Sequence, residues 1–253
     1  MEITSVNNDL VKDIVKLQQK KYRDESGKFI LEGFKAVEEA YLSKVKFDKV
    51  FVTPEKRGKY SFLNCEFFET NEAVLKKIST TTTPPEVVAV TFQPENDFKK
   101  LKTSKKVLLL ENIRDLGNLG TIIRSSVAFG VDSIILYGET VDLYNPKVVR
   151  SSVGNLWKTN IVSISNFETL DGYCSLFIKY GTLPKSNNSV YLADIKFDNT
   201  AKNLIMFGSE ADGLSKELIT YADKNITIEM NENVESLNLS ASVGVVLYKT
   251  FVN

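Results

Sequence analysis

The strongest constraint on this chain is a series of short apolar runs in its C-terminal part. Val107–Leu110, Ser133–Tyr137, Ile161–Ile164, Val190–Ala193, Asn203–Phe207 and Ile226–Met230 are near-continuously apolar. Each is too short for a helix, and together such near-continuous apolar runs predict the strands of a sheet buried on both faces. Between them, helical spacing predicts helices over Leu119–Phe129, Pro146–Ser151, Phe167–Lys179, Leu214–Tyr221 and Leu239–Phe251. Strand and helix alternating in this way give a parallel, doubly wound α/β sheet. Ligands of such sheets sit at the C-terminal ends of the strands.

The N-terminal part alternates on a smaller scale. Leu10, Val11, Ile14, Val15 and Leu17 predict an amphipathic helix from Asn8 to about Lys21. Strands are expected at Phe29–Leu31, Lys49–Thr53, Glu66–Glu69 and Val87–Phe92, with helices at Glu32–Leu42, from Pro54, and at Asn71–Ile78. Pro94–Ser104, rich in Lys, Asp and Asn, reads as a polar linker. The expected organisation is a small α/β domain over residues 1–98 and a larger one over 105–253, without internal repeats or low-complexity tracts.

Composition removes several chemistries. The 253 residues contain no histidine, which excludes His-based triads, HExxH metal sites and an imidazole relay. Cys65 and Cys174 stand in unrelated contexts, so neither a disulfide framework nor a zinc site is read, and no metal is expected. Lys plus Arg and Asp plus Glu both number 32, which argues against a wholly basic nucleic-acid coat but permits a local basic face. The N-terminus has no apolar signal region and no apolar run is long enough to span a bilayer, so no membrane association and a cytoplasmic location are expected.

Three segments place glycines or polar side chains directly after an apolar strand. In LENIRDLGNLGTIIRSS, a loop with Asn118 and Gly120 opens a helix that carries Arg124. Loop glycines at a helix start admit a ligand close to backbone N–H groups, although a plain turn with a surface arginine has the same spacing. In LIMFGSEADGLS, a strand runs into Gly208, Glu210, Gly213 and Leu214; a tight turn with an exposed glutamate is the simple alternative. In NVESLNLSASVG, Ser236, Leu237 and Asn238 stand at the mouth of the last helix, where Ser236 or Asn238 also suits a cap.

Together these segments carry N-x-G-x-x-x-R, G-x-E-x-x-G-L and S-L-N-x-S in that order. Their order and spacing resemble the SpoU/TrmH branch of the SPOUT RNA methyltransferases. Arg23 followed by GKFILEGFKAVEEA, and the later TTTPPEVVAV, resemble the small L30e-like substrate-binding domain often fused ahead of that catalytic domain, so the resemblance spans nearly the whole chain. Leu116 departs from it, since the family often has proline there.

The resemblance implies a small L30e-like domain followed by a SPOUT α/β-knot domain, a trefoil-knotted parallel sheet. It also implies 2′-O-methylation of ribose in structured RNA with S-adenosylmethionine. The extra N-terminal domain favours ribosomal over transfer RNA as substrate. Gly208, Ile228, Met230 and Leu237 are the implied cofactor contacts, and an adenine needs such an apolar slot with a few backbone hydrogen bonds. The implied catalytic residues are Arg124, Asn118, Glu210, Ser236 and Asn238. Arginine stays protonated, so Arg124 is expected to stabilise developing negative charge while a phosphate, a water or Glu210 takes the proton. A deprotonated arginine acting as base is the alternative and needs severe desolvation.

Phosphate contacts are expected from Lys20, Lys21 and Arg23 near the first helix and from Lys147 and Arg150 in NPKVVRSSVG. A solvated charged face is the plain alternative for the first cluster. Trp157 and most Phe and Tyr residues sit at core spacing and read as packing. The last helix has the stripe Leu239, Val243, Val246, Leu247 and Thr250 beside Ser240, Ala241 and Gly244, which permits close helix approach in the homodimer that the family implies. A non-catalytic RNA-binding protein of the same fold is the competing reading. A Rossmann oxidoreductase is a third, and it lacks GxGxxG.

Overall fold

The computed structural model describes residues 1–185, 189–234 and 236–251. In chain order its elements begin with β1 (Glu2–Ile3), α1 (Asp9–Lys16), α2 (Lys20–Ser26), β2 (Lys28–Glu32), α3 (Phe34–Leu42), β3 (Phe47–Val52), β4 (Glu66–Thr70), α4 (Glu72–Ile78) and β5 (Val87–Phe92). Then come α5 (Phe98–Thr103), β6 (Lys106–Glu111), α6 (Leu116–Ala128), β7 (Ser133–Tyr137), α7 (Pro146–Ser151), β8 (Asn160–Ile164) and α8 (Phe167–Cys174). The last are β9 (Ile178–Thr182), β10 (Val190–Tyr191), β11 (Asn203–Phe207), α9 (Lys216–Tyr221), β12 (Lys224–Thr227) and α10 (Leu239–Phe251). Two compact units result: Met1–Glu95 with Asp142–Trp157, and Asn96–Val141 with Lys158–Asn253.

The first unit is a five-stranded mixed sheet ordered β1-β4-β3-β5-β2. Val11 and Ile14 of α1 and Val74 and Ile78 of α4 bury against Phe51 and Phe68, whose rings stack at 5.1 Å. The segment Asp142–Trp157 packs here through α7 on β2, although a linear division assigns it to the later domain. Tyr144 and Trp157 lie 4.7 and 5.7 Å from Phe29, so Trp157 is a packing residue. Gly154 has φ +75°, and a Cβ there would fall 2.6 Å from the Glu39 side chain, so the close approach requires glycine.

In the second unit all seven strands are parallel, ordered β10-β12-β9-β11-β6-β7-β8. Leu101, Leu170 and Leu218 of α5, α8 and α9 cover one face through Val107, Leu109, Val162 and Met206. The alternate residues Leu108, Ile134 and Ile205 are fully buried and point the other way, which leaves that face to α6 and α10, packed on each other. The chain runs outward from β6 through β7 to β8, and β11 returns to the free side of β6. The switch point therefore falls between β6 and β11, where such sheets open a crevice at the C-terminal strand ends.

Several boundaries differ from expectation. The first helix divides because Leu17, Gln18 and Gln19 donate to Ile14, Val15 and Lys16 carbonyls, closing α1 in a tight turn; the Leu17 carbonyl then accepts from Arg23 Nη1 at 2.8 Å. Pro54–Tyr60 is a 3-10 helix. The expected linker contains α5, capped by Asp97 and held by buried Leu101 and by Phe98 stacked on Tyr173 at 4.9 Å. The helix from Phe167 ends at Cys174, and Ile178–Thr182 is instead strand β9 between β11 and β12. The strand at Ile226 ends at Thr227, which puts Ile228 and Met230 in the following loop.

Candidate active site

The loops after β6 and β11 meet at the switch point. Asp115 caps α6 by accepting from the Asn118 N–H at 2.7 Å, which holds Asn118 in the first turn. Leu116 is the first residue of that helix, a position where proline is favoured but not required, so the departure from the family pattern leaves the helix start intact. After β11, Gly208 faces the backbone of Gly213, and a Cβ there would lie 1.8 Å from the Gly213 carbonyl carbon. Reciprocal Ser209–Gly213 backbone hydrogen bonds, at 3.2 and 3.0 Å, close the turn that presents Glu210.

The three motifs meet at Asn118, which is 8 % exposed. Its Nδ2 donates to Glu210 Oε1 at 2.9 Å, and its Oδ1 accepts from Asn238 Nδ2 at 3.0 Å. Asn238 Oδ1 meanwhile accepts from the Ser240 N–H at 2.9 Å and caps α10. It is both a cap and a member of the relay. The Arg114 N–H approaches Glu210 Oε2 at 3.5 Å, which leaves that oxygen weakly engaged. Arg124 is exposed on α6, and among the described residues it forms no ion pair or side-chain hydrogen bond. An arginine with its five donors uncommitted is available to a ligand.

Ser236 is exposed at the approach to α10. Leu237 and Met230 are 39 % and 37 % exposed, and Ile228 is half-buried. Apolar side chains left open in the loops after β12, together with the side-chain-free Gly208 after β11, suit a flat apolar group held by backbone polar atoms.

The expected RNA contacts divide. Arg23 is corrected: it is 1 % exposed and ion-paired with Asp142, so it is a buried structural group and not a surface cation. Arg150 is also engaged, with Glu32 and Thr80. Lys20 and Lys21 are exposed and pair along α2 with Asp24 and Glu25, while Lys147 is exposed at the start of α7. Among the described residues no cluster of potential metal ligands and no helix long and apolar enough to cross a membrane is present.

Sequence reasoning missed Glu111 and Tyr137 at the strand ends and Asp142 as the partner of Arg23. The available signal for Glu111 was an acid closing the apolar run Val107–Leu110.

A parallel α/β sheet with a polar relay at its switch point, on a helix that also carries an uncommitted arginine, defines an enzyme-like site. Residues 105–248 match the SpoU rRNA Methylase family, and residues 8–89 match the MRM3-like substrate binding domain. The chain belongs to the SpoU rRNA methylase family. It is 30% identical over 249 residues, 98% of each chain, to the 23S rRNA (guanosine(2553)-2′-O)-methyltransferase RlmP of Bacillus subtilis. It is 33% identical over 175 residues to the 23S rRNA (uridine(2479)-2′-O)-methyltransferase of Streptomyces viridochromogenes, covering 66% of this chain and 60% of that one. The AdoMet-bound rRNA methyltransferase of Sinorhizobium meliloti superposes with a TM-score of 0.88 at 30% identity, covering 98% of this chain and 96% of that one.

Proposed function

We propose that this protein transfers a methyl group from S-adenosylmethionine to a ribose 2′-hydroxyl of ribosomal RNA. The observation that carries this reading is the convergence of Asn118, Glu210 and Asn238 into one hydrogen-bonded chain at the switch point, with Arg124 uncommitted on the same helix as Asn118. The full-length relatives named as 23S rRNA 2′-O-methyltransferases support the substrate class.

The cofactor supplies an electrophilic methyl on a sulfonium. Gly208, Ile228, Met230 and Leu237 are the residues that would hold it. Arg124 binds the attacking ribose oxygen and stabilises the charge that develops there; its planar cation suits that task and does not serve as a base at ordinary pH. Glu210 is the proton acceptor of this reading, with Oε1 fixed by Asn118 and Oε2 left for the hydroxyl. Ser236 and Asn238 hold the adjacent phosphate and the relay. Residues 1–98 bind the RNA, Lys20 and Lys21 giving sequence-independent phosphate contacts, and Lys147 of α7 adds another.

The same reading includes a trefoil knot in the C-terminal sheet, a cytoplasmic location and a homodimer. Ala241, Val245 and Tyr248 lie exposed along α10, and a Cβ at Gly244 would meet nothing within 4 Å, which leaves that helix face open to a partner helix. Calorimetric titration with S-adenosylmethionine tests the core of the proposal. Saturable binding at one site per chain is expected, and no binding would refute it.

A further inference from the structure

We propose that Glu111 and Tyr137 form a two-point clamp that positions the Gly208–Ser215 loop for cofactor binding; this rests on the methyltransferase reading above. The two residues are register partners at the C-terminal ends of β6 and β7. Glu111 is 4 % exposed and ends an otherwise apolar run, a costly place for a carboxylate unless it serves a specific donor. Its Oε2 accepts from the Ser215 N–H at 2.7 Å, across 104 positions of sequence. Beside it, the Tyr137 hydroxyl donates to Glu217 Oε2 at 3.0 Å. Burial and the neighbouring Glu217 push the Tyr137 hydroxyl up to about 12, so it remains a donor throughout the working range.

Both bonds close on the start of α9, where Ser215 is the cap and Glu217 lies in the first turn. The loop is thus fixed at three places. Phe207 pairs with Leu110 at its entry, the Ser209–Gly213 turn braces its middle, and the clamp holds its exit. Without the clamp, Gly208 and Leu214 keep their covalent places but lose a defined loop geometry. Neither clamp residue is offered as touching a ligand. They are positioning residues.

The test uses full-length variants Glu111→Leu, Glu111→Gln and Tyr137→Phe. Each is titrated calorimetrically with S-adenosylmethionine and with S-adenosylhomocysteine, alongside thermal denaturation and amide exchange at Ser215. Loss of one hydrogen bond is expected to weaken cofactor binding about 3–10-fold in Glu111→Leu and in Tyr137→Phe. The KM for cofactor should rise more than kcat falls, and Ser215 exchange should accelerate in Glu111→Leu. Glu111→Gln retains an acceptor oxygen and should bind nearly as wild type does. Folded Glu111→Leu and Tyr137→Phe proteins with wild-type cofactor affinity would overturn the clamp. If Glu111→Leu does not fold, Tyr137→Phe, which removes a single oxygen, decides alone. A wild-type protein that binds neither compound would instead overturn the methyltransferase reading.

Discussion

The side-chain amide of Asn238 donates to Asn118 Oδ1 at 3.0 Å, joining residues 120 positions apart. Because Asn238 Oδ1 is occupied by the α10 cap, its amide orientation is set, and this sets that of Asn118 toward Glu210. Replacing Asn118 by Asp removes the donor and opposes two carboxylates. Misplacing a reacting group by about 1 Å costs roughly 100-fold in rate, and a fall in kcat of that order is expected for Asn118→Asp. Cofactor affinity should change far less, which single-turnover kinetics with a parallel binding titration would show.

The Arg124 side chain forms no hydrogen bond or ion pair within the described residues, so replacing it should leave folding untouched. Arg124→Ala is expected to keep the wild-type melting temperature and cofactor affinity while losing about 100- to 1,000-fold in kcat, the scale of a lost oxyanion donor. Arg124→Lys should also be poor, because a point charge does not reproduce the planar fork. Equal losses in cofactor affinity and rate would assign Arg124 a different role.

The Arg23–Asp142 pair predicts a stability effect far from the chemistry. Asp142→Ala leaves the 1 % exposed Arg23 without its counter-charge, a change that costs about 3–5 kcal/mol for a buried pair. Chemical denaturation should show a loss of that order. A fragment that begins at residue 105 lacks Arg23, Glu32 and Phe29 together, so its residues 142–157 should lose protection from proteolysis.

Acid stability should depend on Glu86. Hydrogen bonds from Lys59 and Tyr60, opposed in part by burial, hold its carboxyl below the usual value. Its contribution is fully present above the unfolded pKa of about 4.3 and is lost as pH falls through the lower folded value. Unfolding free energies of wild type and Glu86→Gln, measured from pH 6 down to about 3, should converge at the acid end.

Much of the sheet was legible because its strands are apolar on both faces. Ser133–Tyr137 and Asn203–Phe207 coincide with β7 and β11 to the residue. Strand β9 was not, because Phe177 and Ile178 continue the helical spacing of Leu170 and Cys174, and Lys179 looks like a solvent-facing position. In the fold Lys179 is buried and ion-paired with Asp223, a partner that only tertiary packing supplies. The motif residues could be read from spacing after a strand. The hydrogen bonds that join Asn118 to Glu210 and Asn238 could not, since they cross the order of the strands. Arg23 misled for a similar reason: a cation on an amphipathic helix looks solvated until Asp142 is brought against it.

The most direct test is mass spectrometry of nucleosides from ribosomal RNA of a strain deleted for this chain. That RNA is incubated with the purified protein and methyl-labelled S-adenosylmethionine. The account predicts label in one 2′-O-methylnucleoside of the ribosomal RNA, absent when Arg124→Ala replaces the wild-type protein. Label on a base, or an unlabelled ribosomal RNA, would contradict it.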